Sequence, residues 1–585
     1  MLSDPPWVPI LARLPVGVSS ASARLSLDGQ PWTDPLMVVR RRNKTMGGGV
    51  DLLATLPLLD LSAGAHRIGL DVTLADGAPL HLDSAFVYRP PPILVNLLVI
   101  DAQDQPVPAR IALFQDGEPH ALAGPDALRV DPQDRDTHLN SLFALGGRAQ
   151  VRLSPGRYRL VAVRGLRDEL GIAEVDLTED STLTLRVTES VPTPGQLTAD
   201  LHVHTAASGD AFVPGWARYA SLAAAGLDMV VITDHERIVD PRPALSRLGA
   251  TVQGLPGEEA FSDKKRARDG HMNALPLEAG QPYDGDRALA ALIDGFRTLA
   301  DSRPFPGANG AVLLQLNHPR GIQFAPEDPP LPWAHGLFTT LGFNRESVLG
   351  APENAWLFKA QPGTGTNALD VEAMEIINRF SWSLYREVRA DWFALLNAGF
   401  AITGTGNSDS HALAVETAGL PVNLVSLPGW SAGQPIPPDA FVGAIQAGHV
   451  SVSTGPVLSM RLRGPDGAEA GPGDLIQAAG PITVTASVAA ASWVRVPELR
   501  LIVNGEVEQR IAVPRPAPGQ PSALQQTWIV DLPRDGWILV EAGWPIEEQE
   551  PVVDGDYAAL FPGHVPMAFT NPARVDVDGD GRWRP

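Results

Sequence analysis

Short apolar runs between residues 197 and 411 repeatedly lead into histidines and acids. "ADLHVHT" ends in His202 and His204, and "MVVITDH" in Asp234 and His235. "GLPGEEAF" carries Glu258 and Glu259 ahead of His271 in "DGHMNAL", "LLQLNHPRG" leads into His318, and "ITGTGNSDSH" ends in Asp409 and His411. In a strand, residues i and i+2 face the same way, so His202 and His204 project together. Helical stretches ("GWARYASLAAAG", "DRALAALIDGFRTLA", "YREVRADWFALLNAG") alternate with these runs. Such alternation predicts an α/β region of βα units around a parallel sheet or barrel over residues 195–460. In that arrangement the strand tips converge on one face, where active sites lie.

Six of the 13 histidines fall in this pattern, and the chain has no cysteine. Imidazoles mixed with carboxylates, without thiolates, suit Zn, Mn or Fe better than Ca or Mg. Any one of these groups alone reads as an ordinary core or surface residue, and Asp234 alone as a cap of the following segment.

The flanks have a different texture. Residues 1–89 hold alternating runs such as "ARLSLDG" and "HRIGLDVTLADG" between Gly and Asp turns, the pattern of a β-sandwich. Residues 90–190 continue β-rich after the stiff "RPPP", and "TESVPTPGQ" reads as a linker. Residues 461–585 return to β patterning, with a hairpin signal in "LRLIVNGEVEQRI". A length of 585 residues exceeds one core, and 44% hydrophobic with 19% charged residues predicts folded globular domains. The net charge of −22 argues against nucleic acid or anionic membrane as a broad partner, and no apolar run is long enough to span a bilayer. The start shows neither a basic n-region nor an apolar h-region, which predicts a cytoplasmic chain if Met1 is the native start, or an exported one if a signal has been trimmed.

"DLHVHT", "TDH", "GEE…GHMNAL", "NHPRG" and "SDSH", in this order, resemble the polymerase-and-histidinol-phosphatase (PHP) superfamily of metal-dependent hydrolases. The "GEE…GH" pairing, the flanking β-domains, "GHVSVSTGP" and the tail "AFTNPARVDVDGDGRW" look most like its carbaryl-hydrolase-like branch, and residues 90–190 resemble a transthyretin-like module. The resemblance implies a distorted (β/α)7-type barrel flanked on both sides by β-sandwich domains. It also implies two or three divalent ions (Zn, Mn or Fe), with His202, His204 and Asp409 on the first and Glu259 bridging to the second. His271 and His318 would complete the second ion's set, and His235, His411 and Asp210 would form the third, although many relatives carry His where Asp210 stands. Asp200 and Asp234 are expected to accept hydrogen bonds from the metal-binding imidazoles.

The implied activity is hydrolysis of a small-molecule ester by activated water. Phosphoesters come first among its substrates, and an aryl carbamate or carboxylic ester is the alternative. Arg320 and Arg379 are the candidate binders of an anionic substrate. Amidohydrolase barrels also open with HxH, but they rely on a bridging modified lysine. A non-enzymatic binding protein with a structural metal site would need only about four donors. "KKRARDG" between Glu259 and His271 reads as a basic site mouth or a solvated loop. The insert 320–369, with Trp333, Phe338, Phe343, Trp356 and Phe358, reads as a lid or as packing against the β-domains. "DVDGDG", with Asp576, Asp578 and Asp580, opens like a calcium loop but lacks its twelfth residue, so a turn-rich tail competes with a Ca site.

Overall fold

The structure is a computed structural model. It describes residues 7–15, 23–32, 37–41, 49–57, 61–73, 77–88, 92–120, 140–211, 213, 215–261, 270–280, 287–322, 336–379, 381–413, 417–517 and 519–585. The "KKRARD" segment and Trp333 lie outside these residues. Among them, no helix is long and apolar enough to cross a membrane.

The N-terminal residues form a three-stranded sheet (Trp7–Pro15, Met37–Arg41, Gly49–Pro57) and a four-stranded one, with Leu25, Leu52, Leu70 and Val72 buried in a small cluster. Residues 92–189 form a five-stranded and a three-stranded sheet around one core, with a two-stranded ribbon (Asp168–Glu169, Thr188–Glu189). Strand Ile93–Ile100 turns Val95, Leu97 and Val99 inward, and Ala109–Gln115 and Gly156–Val163 supply Ile111, Leu113, Leu160 and Val161.

The middle of the chain supplies ten strands: β1 (Gln196–Val203), β2 (Met229–Ile232), β3 (Gln253–Pro256), β4 (Glu258–Phe261), β5 (His271–Leu275), β6 (Leu313–Asn317), β7 (Ala373–Asn378), β8 (Thr403–Asn407), β9 (Val422–Ser426) and β10 (Val450–Ser453). Six more enter from the C-terminal region: β11 (Glu498–Val503), β12 (Gly536–Gly543), β13 (Met567–Thr570), and the strands Leu475–Gln477, Glu506–Ala512 and Ala573–Asp576. They form two sheets. The eleven-stranded one runs β3-β2-β1-β9-β10-β13-β12-β11 and on to Glu506–Ala512, with Ala573–Asp576 pairing β12 and Leu475–Gln477; the other runs β4-β5-β6-β7-β8.

The expectation of an α/β barrel is corrected here. The chain is mostly β, with 41% strand against 15% helix, and its strands lie in sandwich-like sheets. Among β1 to β13, parallel pairing joins β1-β2-β3 and β6-β7-β8, while β4/β5, β5/β6, β1/β9, β9/β10 and β10/β13 are antiparallel. The reason is topological. Helix Leu289–Ser302 separates β5 from β6, and helix Pro438–Ala447 separates β9 from β10, yet both pairs run antiparallel. An intervening helix is needed for a parallel crossover but does not enforce one. β4 and β5, consecutive strands in the chain, pair antiparallel.

The strand sheet also continues past residue 460, and the C-terminal strands hold the middle region in place. Asn571 accepts a hydrogen bond from Gly404 N (2.7 Å) and donates to the carbonyls of Gly404 and Val450 (both 2.9 Å). Gly406 on β8 sits so close to β10 that a Cβ there would lie 2.3 Å from Val452, so only glycine lets these strands approach. Helix Trp382–Asn397 starts on Ser381, whose hydroxyl accepts from Leu384 N, and buries Tyr385, Val388, Arg389, Trp392 and Leu396 at helical spacing. Its Arg389 donates from Nη2 to Glu541 on β12 (2.9 Å), which also receives Arg500 Nε of β11 (3.2 Å) and the Tyr385 hydroxyl (3.2 Å). Burial pushes the Glu541 carboxyl up, but Arg389 and Arg500 outweigh it and hold the carboxyl below its usual range.

Removing one member of a buried ion network leaves the others uncompensated, at about 3–5 kcal/mol. Glu541→Ala is therefore expected to lower the unfolding free energy measured by urea titration by that order, well beyond the effect of an exposed substitution such as Glu506→Ala.

Candidate metal centre

β1 is buried along nearly its whole length, and its tip sets His202 and His204 on either side of Val203. Both rings are fully buried. His202 Nδ1 lies 2.8 Å from Glu375 Oε1 on β7, and His204 Nδ1 lies 2.8 Å from Ser208 Oγ, which also accepts from His235 N. With both Nδ1 atoms engaged, the two Nε2 atoms face each other at 3.0 Å. Each is 3.2 Å from Glu259 Oε2, and they lie 3.3 and 3.2 Å from Asp409 Oδ1. Four donor atoms of two imidazoles and two carboxylates thus surround one point. Tetrahedral zinc with bonds of about 2.0–2.1 Å sets its donors about 3.3 Å apart, so the cradle has the dimensions of such an ion.

Glu259, on β4, extends this arrangement in two directions. Its Oε2 also lies 3.0 Å from His235 Nδ1, while Oε1 receives Asn317 Nδ2 (2.8 Å) and lies 3.0 Å from His271 Nδ1 and 3.4 Å from His318 Nε2. A further set joins His204, His235, His411 and Asp210. Asp210 touches His235 Nε2 at 3.1 Å and His411 Nε2 at 3.5 Å, and its carboxylate is about half exposed, at 53%. Glu259 Oε2, His235 Nδ1 and His318 Nδ1 are buried without a hydrogen bond. Native interiors rarely tolerate such atoms, and a bound cation would satisfy them. The residues present therefore fit a group of divalent ions held by N and O donors.

The backbone at the cluster is strained. Glu236, His318, Arg379 and Asp409 have φ of +49°, +25°, +56° and +46°. These are four of the nine non-glycine residues with positive φ among the described residues. Strain of this kind costs of order 1–3 kcal/mol per residue and gathers at functional sites.

Charge follows the same geometry. Burial pushes Glu259 up, but His202, His235 and His271 outweigh it and hold the carboxyl well below its usual range. Burial likewise pushes Asp409 up, and Arg379 with His202 overcomes it. His411 is pushed down by burial, yet Asp210 and Asp409 raise it to about 9. Burial and the charge of His411 lower His204 to about 4.

All nine residues expected to hold metal (His202, His204, Asp210, His235, Glu259, His271, His318, Asp409 and His411) lie in this one cluster. Their surroundings differ from expectation. Asp200 accepts from the backbone N–H groups of His202, Ser408 and Gly419, and Asp234 from the N–H and hydroxyl of Thr205, so neither touches an imidazole nitrogen of the β1 pair. Burial raises them to about 6 and about 7. The carboxylate on the His202 ring is Glu375 instead, which also receives His318 N (2.9 Å) and the side chains of Asn378 and Asn407 (both 3.0 Å). Arg379 reaches Asp409 Oδ2 (3.0 Å) and lies 3.1 Å from His411 Nδ1. Arg320 is spent elsewhere: its Nε and Nη2 grip Asp391 at 2.6 and 2.7 Å, and it stacks near Phe338 and Phe343, which are buried in the core. Of the other insert aromatics, Trp356 packs partly buried against the same core and Phe358 is 38% exposed. Ser208, Asn317 and Arg218 were not singled out in the sequence. Only Asn317, adjacent to His318 at a strand tip, carried a local signal.

In the tail, Asp576 and Asp578 meet Asp535. Asp576 caps the turn by accepting from Gly579 N (2.7 Å) and Gly581 N (2.8 Å), while Asp580 pairs with Arg584.

No family model matches the chain, and no curated protein matches it. Among solved structures, the major pilin subunit BcpA of Bacillus cereus matches at 12% identity and a TM-score of 0.14, over 32% of this chain and 60% of that one. A streptococcal ancillary pilin matches at 10% identity and 0.13, over 35% and 67%, and domains D2 and D3 of the pilin SpaD from Corynebacterium diphtheriae at 10% and 0.12, over 31% and 92%. The matched region spans 60% of the B. cereus protein. At these scores the likeness carries no argument about this chain.

Two outcomes follow from this geometry. His411, raised to about 9, must give up its proton before its nitrogen can bind a cation, so zinc uptake at pH 7 should release protons and tighten as pH rises towards 9. Calorimetry in buffers of different ionisation enthalpy measures that release directly. Glu375→Gln should weaken zinc binding by about 10–100-fold, because a partner that fixes the His202 ring is lost; chelator competition reads the change.

Proposed function

We propose that the chain is a metal-dependent ester hydrolase whose centre holds two or three divalent ions, with phosphoesters as its first substrate class. The observation that carries this reading is the convergence of His202 Nε2, His204 Nε2, Glu259 Oε2 and Asp409 Oδ1 at separations of 3.0–3.3 Å. The ordered motifs that resemble PHP hydrolases support it. When bound, such ions lower the pKa of water and polarise the oxygen of an ester.

The chain's own residues do the rest. Glu375 and Ser208 occupy the Nδ1 atoms of His202 and His204, so Nε2 is the nitrogen each ring presents. Glu259 spans two donor groups with its two oxygens, which lets one carboxylate serve neighbouring ions. Asp210 stands half exposed beside His235 and His411 and marks the side open to substrate. The Arg379 guanidinium at Asp409 balances part of the negative charge of the carboxylates.

One observation favours an aryl ester or aryl carbamate as the alternative. Phe261 stacks on His235 at 4.5 Å and meets His271 edge-on at 4.3 Å, which sets an aromatic wall beside the cluster.

Metal analysis of the purified chain, combined with assays on a phosphomonoester, a phosphodiester and an aryl ester, tests the proposal. Wild type is expected to carry at least two equivalents of metal and to hydrolyse one of these classes. His202→Ala and Asp409→Asn should each lose metal and at least a hundredfold in rate, equivalent to about 2.7 kcal/mol. If both variants keep wild-type metal content and activity, the assignment fails.

A further inference from the structure

Helix Gly215–Ala224 buries the side chain of Arg218 completely. Its guanidinium donates from Nε to His204 O (2.8 Å), from Nη1 to Ser410 Oγ (2.8 Å), and from Nη2 to Ser410 O (2.9 Å) and Ala412 O (3.2 Å). These four acceptors belong to two segments. One is the tip of β1, which carries His202 and His204; the other is the loop that carries Asp409 and His411.

Those two segments also touch through Ser408 N, which donates to Asp200 Oδ1 (3.2 Å), and through the His204 and His411 rings, stacked at 4.0 Å, but their backbones pair only briefly. The β1 tip meets the loop at a single bridge, Val203 to Ser410, with Asp409 N donating to His202 O (2.9 Å) and His204 N to Ser410 O (3.2 Å). Asp409 holds a left-handed φ of +46° within this short contact. A non-glycine residue keeps that conformation only where its surroundings over-determine it. A planar fork with its donors at fixed angles can hold acceptors on two chains at once, and a lysine ammonium, a single point on a flexible stem, cannot reproduce it.

Resting on the metal reading above, we propose that Arg218 is a positioning residue that sets the register between His204 and the Asp409–His411 pair. It thereby controls the affinity of the two donor groups these residues build. His271 and His318, which reach Glu259 from the other sheet, lie outside its grip. Loss of Arg218 should therefore weaken part of the centre and spare the rest, which a general loss of stability would not do.

The test uses the full chain with zinc, and with cobalt as a spectroscopic probe. Arg218→Lys and Arg218→Met are expected to weaken zinc binding about 10–100-fold, as loss of an outer partner does. They should also lower the zinc stoichiometry without abolishing it and alter the cobalt absorption spectrum. Melting of the chelator-stripped chain identifies any variant that fails to fold. In that event Ser410→Ala, which removes the Nη1 acceptor and the hydroxyl's own bond to Ala412 O but leaves the other three acceptors of the fork, decides: it should weaken zinc by a few fold and shift the cobalt spectrum in the same direction. Wild-type zinc affinity and cobalt spectra in Arg218→Lys and Ser410→Ala overturn the role of Arg218 alone. A wild-type chain that takes up no zinc overturns the metal reading, and this role with it.

Discussion

The middle of the molecule is arranged around the burial of one carboxylate. Glu259 is shut off from water on every side, and an isolated carboxylate in a low-dielectric interior carries a penalty of several kcal/mol even after relaxation. The protein meets that cost by drawing imidazoles from four strand ends to within 3.4 Å of its two oxygens, with Asn317 as the neutral donor among them. Each imidazole needs a partner on its far nitrogen or a charge to face, and that requirement recruits Glu375, Ser208 and Asp210. The strained backbone at His318 and Asp409 follows from the same demand, since a relaxed turn would aim those side chains away.

Two sheets that do not close on one another must be held by something other than a backbone ladder. Buried amides take that role. Leu201 at the centre of β1 donates its N–H to Asn407 Oδ1 on β8 (3.0 Å) and accepts at its carbonyl from Asn273 Nδ2 on β5 (3.1 Å). Asn423 on β9 reaches the carbonyls of Ala199 and Gly406 and the side chain of Asn407. Side-chain amides thus satisfy the backbone where strand partners are missing, which buried polar groups require. A network so fully paired is stiff, and stiffness behind the β1 tip is what donor spacings near 3 Å demand.

The candidate site was more legible in the sequence than the fold. His202 and His204 could be paired because an i, i+2 spacing on a strand is local information, and Asp409 with His411 shows the same spacing. Glu375 in "AMEIIN" reads from the sequence equally as an acid supporting the site or as a plain strand residue, because its partner His202 lies 173 positions away. Asp200 and Asp234 looked like partners for imidazoles because they precede them in the chain. Backbone N–H groups claim both carboxylates instead, although Asp200 stands at i, i+2 from His202 on a strand whose register shifts between Asp200 and Val203. The sheets were misread for a comparable reason. Helical periodicity reports that a helix exists, but the direction of the next strand depends on which edge it pairs with, and β5/β6 and β9/β10 pair antiparallel across their helices.

That long-range pairing also explains why the C-terminal strands belong to the argument about the site. β8 ends at Asn407, two residues before Asp409, and its start is fixed by Asn571 from the far end of the chain. Arg379 follows β7, and the helix that begins two residues later is anchored through Arg389 and Tyr385 to Glu541 on β12. The two residues that most constrain Asp409, one through its strand and one through its carboxylate, are thus both held by β12, β13 and the turn after them. Donor atoms that must stay within a few tenths of an ångström of one another tolerate little slack in their supports. A β-rich C-terminal region packed behind a polar cluster is therefore read most economically as part of the frame that sets the geometry of the centre.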